Sequence, residues 1–261
     1  MDINTRNRIK ARVSDKLDCI LARRINALTE DMRTLRETNP FGSRLVPPEI
    51  WKGSKFERSF VTSFGQGVFE QIAYEIAIGS GAFAENQHVE IVTLNTWQDE
   101  AINNLLAEQR GSDTPTAPCW DAEINSIVTL NNPRHTDVET RFNLYVRRQN
   151  GSEEYYSLKT VKPNLDQTEI AKRDMLRITA SKPTCRAFLG LPYNPYGEGH
   201  SYDWTMPKKL FNMNTCPAVL IGASFWNTVG NDENTYSELL EVFDEIGALL
   251  QGRIRTEYLQ A

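Results

Sequence analysis

Asn150-Gly151, followed by Glu154-Tyr155-Tyr156-Ser157-Leu158-Lys159-Thr160-Val161, decides how this chain folds. Asn-Gly accepts the positive φ angles that a two-residue hairpin turn demands. The run after it alternates in character and is rich in aromatic and β-branched residues, the pattern of a strand. A second predicted strand, Thr140 to Arg148, leads into the turn, and Pro163 and Asn164 end the outgoing one, proline having no N–H to give a ladder.

Working upstream, Trp120 to Leu130 reads as a further strand, preceded by the loop Gly111 to Pro118 and a helical stretch from Thr93 to Arg110. The segment Ser63-Phe64-Gly65-Gln66-Gly67 supplies a flexible lead into a helix from Val68 to Ala77 that stops at Gly79. From Thr5 to about Arg36, Ile9, Val13, Leu17, Ile20, Leu21, Ile25 and Leu28 recur at steps of three and four, the helical period. This arm, residues 1–36, is an amphipathic helix with at most one break. Core packing explains its apolar stripe, and a dimer-forming role is the alternative.

Downstream, Thr168 to Ile178 is a helix with Thr168 available as its cap. Cys185 to Leu191 and Ala218 to Ser224 are short apolar strands, and Tyr236 to Leu250 is a last helix ending near Gly252. This order predicts an α/β fold, a central mixed sheet flanked by helices.

The 261 residues, 40% apolar and 24% charged, suit one globular domain spanning 1–261, with no clear linker or repeat. A formal net charge of -5 argues against a nonspecific nucleic-acid coat, which needs surplus Lys and Arg, but leaves room for a basic cleft. Cys19, Cys119, Cys185 and Cys216 are scattered without CxxC spacing, so neither a zinc site nor a disulfide framework is expected. The N-terminus MDINTRNRIKARVSDK is too charged for a signal peptide, and no apolar run reaches membrane-spanning length, which leads us to expect a cytoplasmic protein with no membrane partner.

Two windows concentrate the groups able to do chemistry. On a strand, Asp121, Glu123 and Asn125 share one face, and so do Ser157 and Lys159 on the next. Phosphodiester hydrolysis assisted by a metal needs hard oxygen ligands for Mg2+ and a cation near the attacked phosphorus. Acids on one strand and a lysine on its neighbour follow the PD-(D/E)xK nuclease plan, here with Ser157-Leu158-Lys159 in the place of acid-x-lysine. A half-exposed strand with a snorkelling lysine gives the same alternation without any metal. No Walker signature marks a nucleotide site, and His88, His135 and His200 are dispersed.

Four separated blocks carry a resemblance. Ser157-Leu158-Lys159-Thr160-Val161-Lys162-Pro163-Asn164, Phe56-Glu57-Arg58-Ser59-Phe60, Leu191-Pro192-Tyr193-Asn194-Pro195-Tyr196-Gly197 and Gly222-Ala223-Ser224-Phe225-Trp226 resemble the TdeIII-type restriction endonucleases. The resemblance implies a PD-(D/E)xK fold, magnesium dependence, a homodimer, and cleavage of double-stranded DNA at a short palindrome of the GGNCC kind. It also implies that Ser-Leu-Lys is native to this branch.

Against that pattern, Glu123-Ile124-Asn125 carries an amide where Glu-Ile-Asp is expected. Either the chain is an inactive Asp-to-Asn variant that still binds DNA, or Asp121 and Glu123 take over as metal ligands. For the acid missing at Ser157, Glu169 on the following helix is the candidate, although a carboxylate in a first helical turn is also simple dipole electrostatics. Glu70, in Phe69-Glu70-Gln71-Ile72-Ala73, is a further candidate ligand or a solvated helix face. Lys162, Asn164, Gln167, Lys172 and Arg173 cluster past the lysine strand and are the candidate DNA contacts, to phosphates or base edges. Tyr193, Asn194 and Tyr196 either join them or pack a turn.

Overall fold

The computed structural model describes residues 1–65, 67–111 and 117–260. Gln66 of the expected flexible lead and residues 112–116 of the loop before the second window lie outside the described residues. The chain divides into two compact units, Met1–Glu75 with Ser237–Ala261, and Ile76–Tyr236.

The first unit is helical. α1 (Ile3–Asn26) begins where the Asp2 carboxylate accepts the N–H groups of Asn4 and Thr5, which are two of the orphan donors of a helix start. It buries Ile9, Val13, Leu17, Ile20 and Leu21, the stripe expected from the spacing. The break falls at Ala27, and α2 (Leu28–Thr38) follows. After α3 (Gly42–Leu45) comes an element the sequence reading lacks, α4 (Pro48–Gly65). Pro48 opens this helix instead of breaking one, because the first helical turn needs no proline N–H. α5 (Val68–Gly79) ends at the expected glycine, and its Glu75 is clamped by Arg8 at 2.6 Å and Arg12 at 2.7 Å.

The second unit holds the sheet. β1 (Phe83–Asn95) was not anticipated, and it takes the start of the expected helix 93–110, leaving α6 to run over Thr96–Gly111. The expected strand 120–130 is instead α7 (Trp120–Val128), so the strand alternation assumed for Asp121, Glu123 and Asn125 does not apply. Its apolar residues Ile124, Ile127 and Val128 fit a helical stripe as well as a strand, an ambiguity inherent in short apolar runs. β2 (His135–Arg147) and β3 (Glu153–Leu158) form the predicted hairpin. α8 (Leu165–Ser181), β4 (Arg186–Leu191), β5 (Val219–Ile221) and α9 (Ala223–Gly230) complete the unit. Asn164 caps α8, not Thr168.

The described residues form a five-stranded sheet ordered β1-β2-β3-β4-β5. Its first two pairings are antiparallel and its last two parallel, so the mixed sheet flanked by helices is as expected. On one face Tyr155, Ala187, Leu189 and Leu191 meet Ala171, Met175 and Ile178 of α8. On the other, Tyr156 lies against Phe188 and Phe225, and Phe225 against Trp226. Arg148 ties the hairpin to this second face, donating to Glu154 and to the carbonyls of Thr228 at 2.7 Å and Val229 at 3.0 Å, which are orphan acceptors at the end of α9.

Gly190 sets how close α9 comes to the sheet. A Cβ there would lie 2.7 Å from Cε2 of the fully buried Phe225. The Gly190 carbonyl also accepts the N–H of Lys159 at 3.0 Å, so this residue fixes the backbone just past β3. Gly190→Ala is expected to overpack the face by about 1–3 kcal/mol, read as a lower urea midpoint; an unchanged midpoint would show that Phe225 moves freely.

Candidate active site

Polar side chains gather where β2 and β3 part. The register Leu144↔Tyr156, continued by one residue, sets Asn143 across from Ser157. There β3 ends, and side chains replace the missing ladder bonds. The N–H of Leu158 donates to Oδ1 of Asn143 at 2.9 Å, and the N–H of Arg141 donates to Oδ2 of Asp174 at 3.3 Å. Lys159 is the first residue beyond the strand, and its charge is one of those acting on Asp174. Asn143, Ser157, Lys159 and Asp174 thus line one fork.

Alternation puts Tyr155 and Ser157 on the face of Ala187 and Leu189, toward α8, and Asp174 comes from that helix. Gln87 stands opposite Asn143 on β1 with φ of 52°, a left-handed conformation uncommon for any residue but glycine. Local strain of this kind collects beside functional sites. Near it, Phe142 and Tyr145, three residues apart, each put their ring 5.0 Å from that of Tyr155.

Asp174 is only 8% exposed. Burial pushes its carboxyl from the ordinary 3.8 up to about 6, against the pull of the Arg141 N–H and of Arg177, Arg173 and Lys159. Those two arginines are engaged elsewhere, Arg177 with Asp99 at 2.7 Å and Arg173 with Glu169 at 2.5 Å. Among the described residues Asp174 accepts one hydrogen bond and makes no ion pair.

Within the second unit, the other expected residues lie apart from this fork or are occupied. Asp121 and Asn125 are exposed on α7. Glu123 is buried on that helix in an ion pair with the fully buried Lys172, 2.6 Å away. Gln109 braces the pair, donating to Glu123 Oε1 at 2.7 Å and accepting from Lys172 at 2.9 Å, while Lys172 also donates to the Leu210 carbonyl. Burial lowers the pKa of Lys172 despite the partner's charge. With no exposed surface, Lys172 is not available to DNA, which corrects that expectation. Glu169 receives Arg110 as well as Arg173. Asn164 and Gln167 form a reciprocal capping box, Lys162 lies 5.6 Å from the ring centres of both Tyr196 and Trp204, and Glu70 is on α5 in the first unit.

The sequence reading singled out Ser157 and Lys159 and passed over Asn143, Asp174 and Arg141, which the structure places beside them. A signal for Asn143 was present, since reflection through the Asn150-Gly151 turn pairs it with Ser157. No comparable signal marked Asp174, whose place depends on how α8 lies across the sheet.

Among the described residues no three His, Cys, Asp or Glu side chains converge as a metal cluster. The fork does combine one carboxylate, an amide oxygen and a hydroxyl, a hard-oxygen set. Magnesium usually keeps several waters and takes only one or two carboxylates with substrate phosphates, so these residues fit it if DNA completes the shell.

Two measurements test this geometry. Asp174 has a folded-state pKa above its unfolded one, so its contribution to stability is greatest below about pH 4 and is lost as the pH rises through about 6. Asp174→Asn removes that loss, and urea unfolding should show the variant gaining on the parent between those pH values, by up to about 3 kcal/mol; a gap flat with pH would mean the carboxylate is compensated. Glu123→Gln should strand a buried cation and cost about 3–5 kcal/mol, read as a large fall in Tm; a change below about 1 kcal/mol would deny the pair its role.

The comparisons with known proteins agree with one another. The family model described as type II restriction endonuclease, HinfI, matches residues 5–247. The type II restriction enzyme HgiEI of Herpetosiphon aurantiacus is 31% identical over 280 residues, covering 98% of each chain. HgiBI of the same organism is 30% identical over the same shares, and HgiCII is 30% identical over 99% of this chain and 100% of its own. The chain belongs to the HinfI family of type II restriction endonucleases.

Proposed function

We propose that the protein is a magnesium-dependent, site-specific deoxyribonuclease that hydrolyses both strands of duplex DNA at a short palindrome, with the β2/β3 fork as its cutting centre. The observation that carries this reading is Lys159, its backbone held one residue past β3 by the Gly190 carbonyl and its charge acting on Asp174 in a fork of oxygen-bearing side chains. The arrangement supports a PD-(D/E)xK reading with Asn143 and Ser157 in the two acid places.

In this mechanism water attacks phosphorus in line with the ester oxygen that departs, while Lys159 orients the water and offsets the charge growing on the phosphoryl oxygens. The P–O ester bond breaks, and the departing oxygen ends as a hydroxyl by taking up a proton from solvent. A bound Mg2+ would supply Lewis-acid polarisation of the phosphate. Asn143 and Asp174 hold the fork open by satisfying backbone donors that would otherwise pull the strands together. Lys162, beside Tyr196 and Trp204, is well placed for backbone phosphates, which fix register without reading sequence. A homodimer suits a palindrome, because each copy reads one half-site. The Ser157-to-Asn164 run supports the TdeIII type and a GGNCC-like target.

A second reading is favoured by Asn143 and Ser157 themselves. An amide and a hydroxyl in the acid places suit a protein that binds its target without cutting it. The question of an inactive Asp-to-Asn variant, first attached to Asn125, therefore moves to Asn143.

Incubation with mixed-sequence plasmid DNA and Mg2+ separates the two. Discrete fragments are expected from the parent protein and at least about 100-fold less cutting from Lys159→Ala, with gel-shift affinity retained. Fragments from Asn143→Asp alone would establish the silent binder, and no cutting by either would remove the nuclease reading.

A further inference from the structure

We infer that Asp174, on the helix after β3, supplies the carboxylate that Ser157 does not, and that it ligates the divalent cation of the fork. This rests on the nuclease reading above.

Placement comes first. Oδ2 of Asp174 occupies the ladder position that β3 vacates, 3.3 Å from the Arg141 N–H, within the same opening as Asn143 and Lys159. The direction of the side chain is therefore set by the strand parting itself, not by a partner on α8.

The second observation is a buried carboxylate with few direct partners. A carboxylate more than nine-tenths buried normally has a cation or several donors, yet this one has a single backbone N–H among the described residues. Arg173 and Arg177, its neighbours one position before and three after, have turned to Glu169 and Asp99. An asparagine would accept the Arg141 N–H equally well without the cost of a buried anion. What an asparagine cannot do is hold a hard cation by charge. Oδ1, without a hydrogen bond among the described residues, is the atom left for that purpose.

The chemistry of the fork then closes. Of its four named side chains, Asn143 and Ser157 contribute neutral oxygens and Lys159 a cation, which leaves Asp174 as the one anionic group. Glu169, the carboxylate on α8 favoured by sequence, is neutralised by Arg110 and Arg173.

Manganese titration followed by electron paramagnetic resonance, on the full chain with and without DNA, tests the assignment. Asp174→Asn preserves shape and the Arg141 bond; it should lower Mn2+ affinity at least about tenfold and cutting at least about 100-fold while remaining folded by circular dichroism. Asp174→Ser, smaller and also neutral, should match it. If either folded variant binds Mn2+ and cuts within about threefold of the parent, the assignment is overturned, and the nuclease reading stands apart from it. If the parent binds Mn2+ through Asp174 but cuts no DNA, the metal site holds and the nuclease reading fails.

Discussion

Two hydrogen bonds hold open the place where β2 and β3 stop pairing. A ladder ends without penalty only if its last donors find other acceptors, and here the Leu158 N–H finds Asn143 while the Arg141 N–H finds Asp174. Either acceptor could have been water at an exposed sheet end. Using side chains brings an amide and a carboxylate to the same opening and delivers Lys159 at its rim. The termination of a hairpin and the gathering of these side chains are one event.

The rest of the second unit serves that event by rigidity. α8 spans the sheet with Met175, Leu176 and Ile178 fully buried, and Asp174 cannot leave the fork unless this contact loosens. The Glu123–Lys172 pair fastens α7 to α8 two residues before Asp174, through side chains that are almost wholly out of solvent. Such a pair adds little net stability against an apolar alternative. It does fix which residues of the two helices meet, a matter of register rather than strength.

Much of this was legible in the sequence, for reasons that can be located. The Asn150-Gly151 turn is a local signal, and with it came β2, β3 and the lysine at the end of β3. The amphipathic period of α1 and the glycine stop of α5 were local too. Asp121-Ala122-Glu123-Ile124-Asn125 failed because a short run with apolar residues at 124, 127 and 128 satisfies both periods, and only the surrounding α6 and α8 select the helix. Lys172 and Glu123 looked like surface chemistry because long-range ion pairs leave no mark on spacing. Asp174 sat unnoticed between two arginines for the same reason: its burial is decided by the sheet beneath it.

β3, β4 and β5 run parallel, so their C-terminal ends all emerge at one rim. Lys159 follows the first, the Pro192-to-Gly197 loop the second, and Gly222 the third. The fork depends on strand pairing and on α8, whereas the loop after β4 is bound by neither and its Tyr193 is 44% exposed. Substitutions can therefore act on the two separately. A change in the loop leaves the strand ladder intact, whereas a change in the hairpin is felt by α8 as well, so the hairpin and its helix behave as an indivisible cassette.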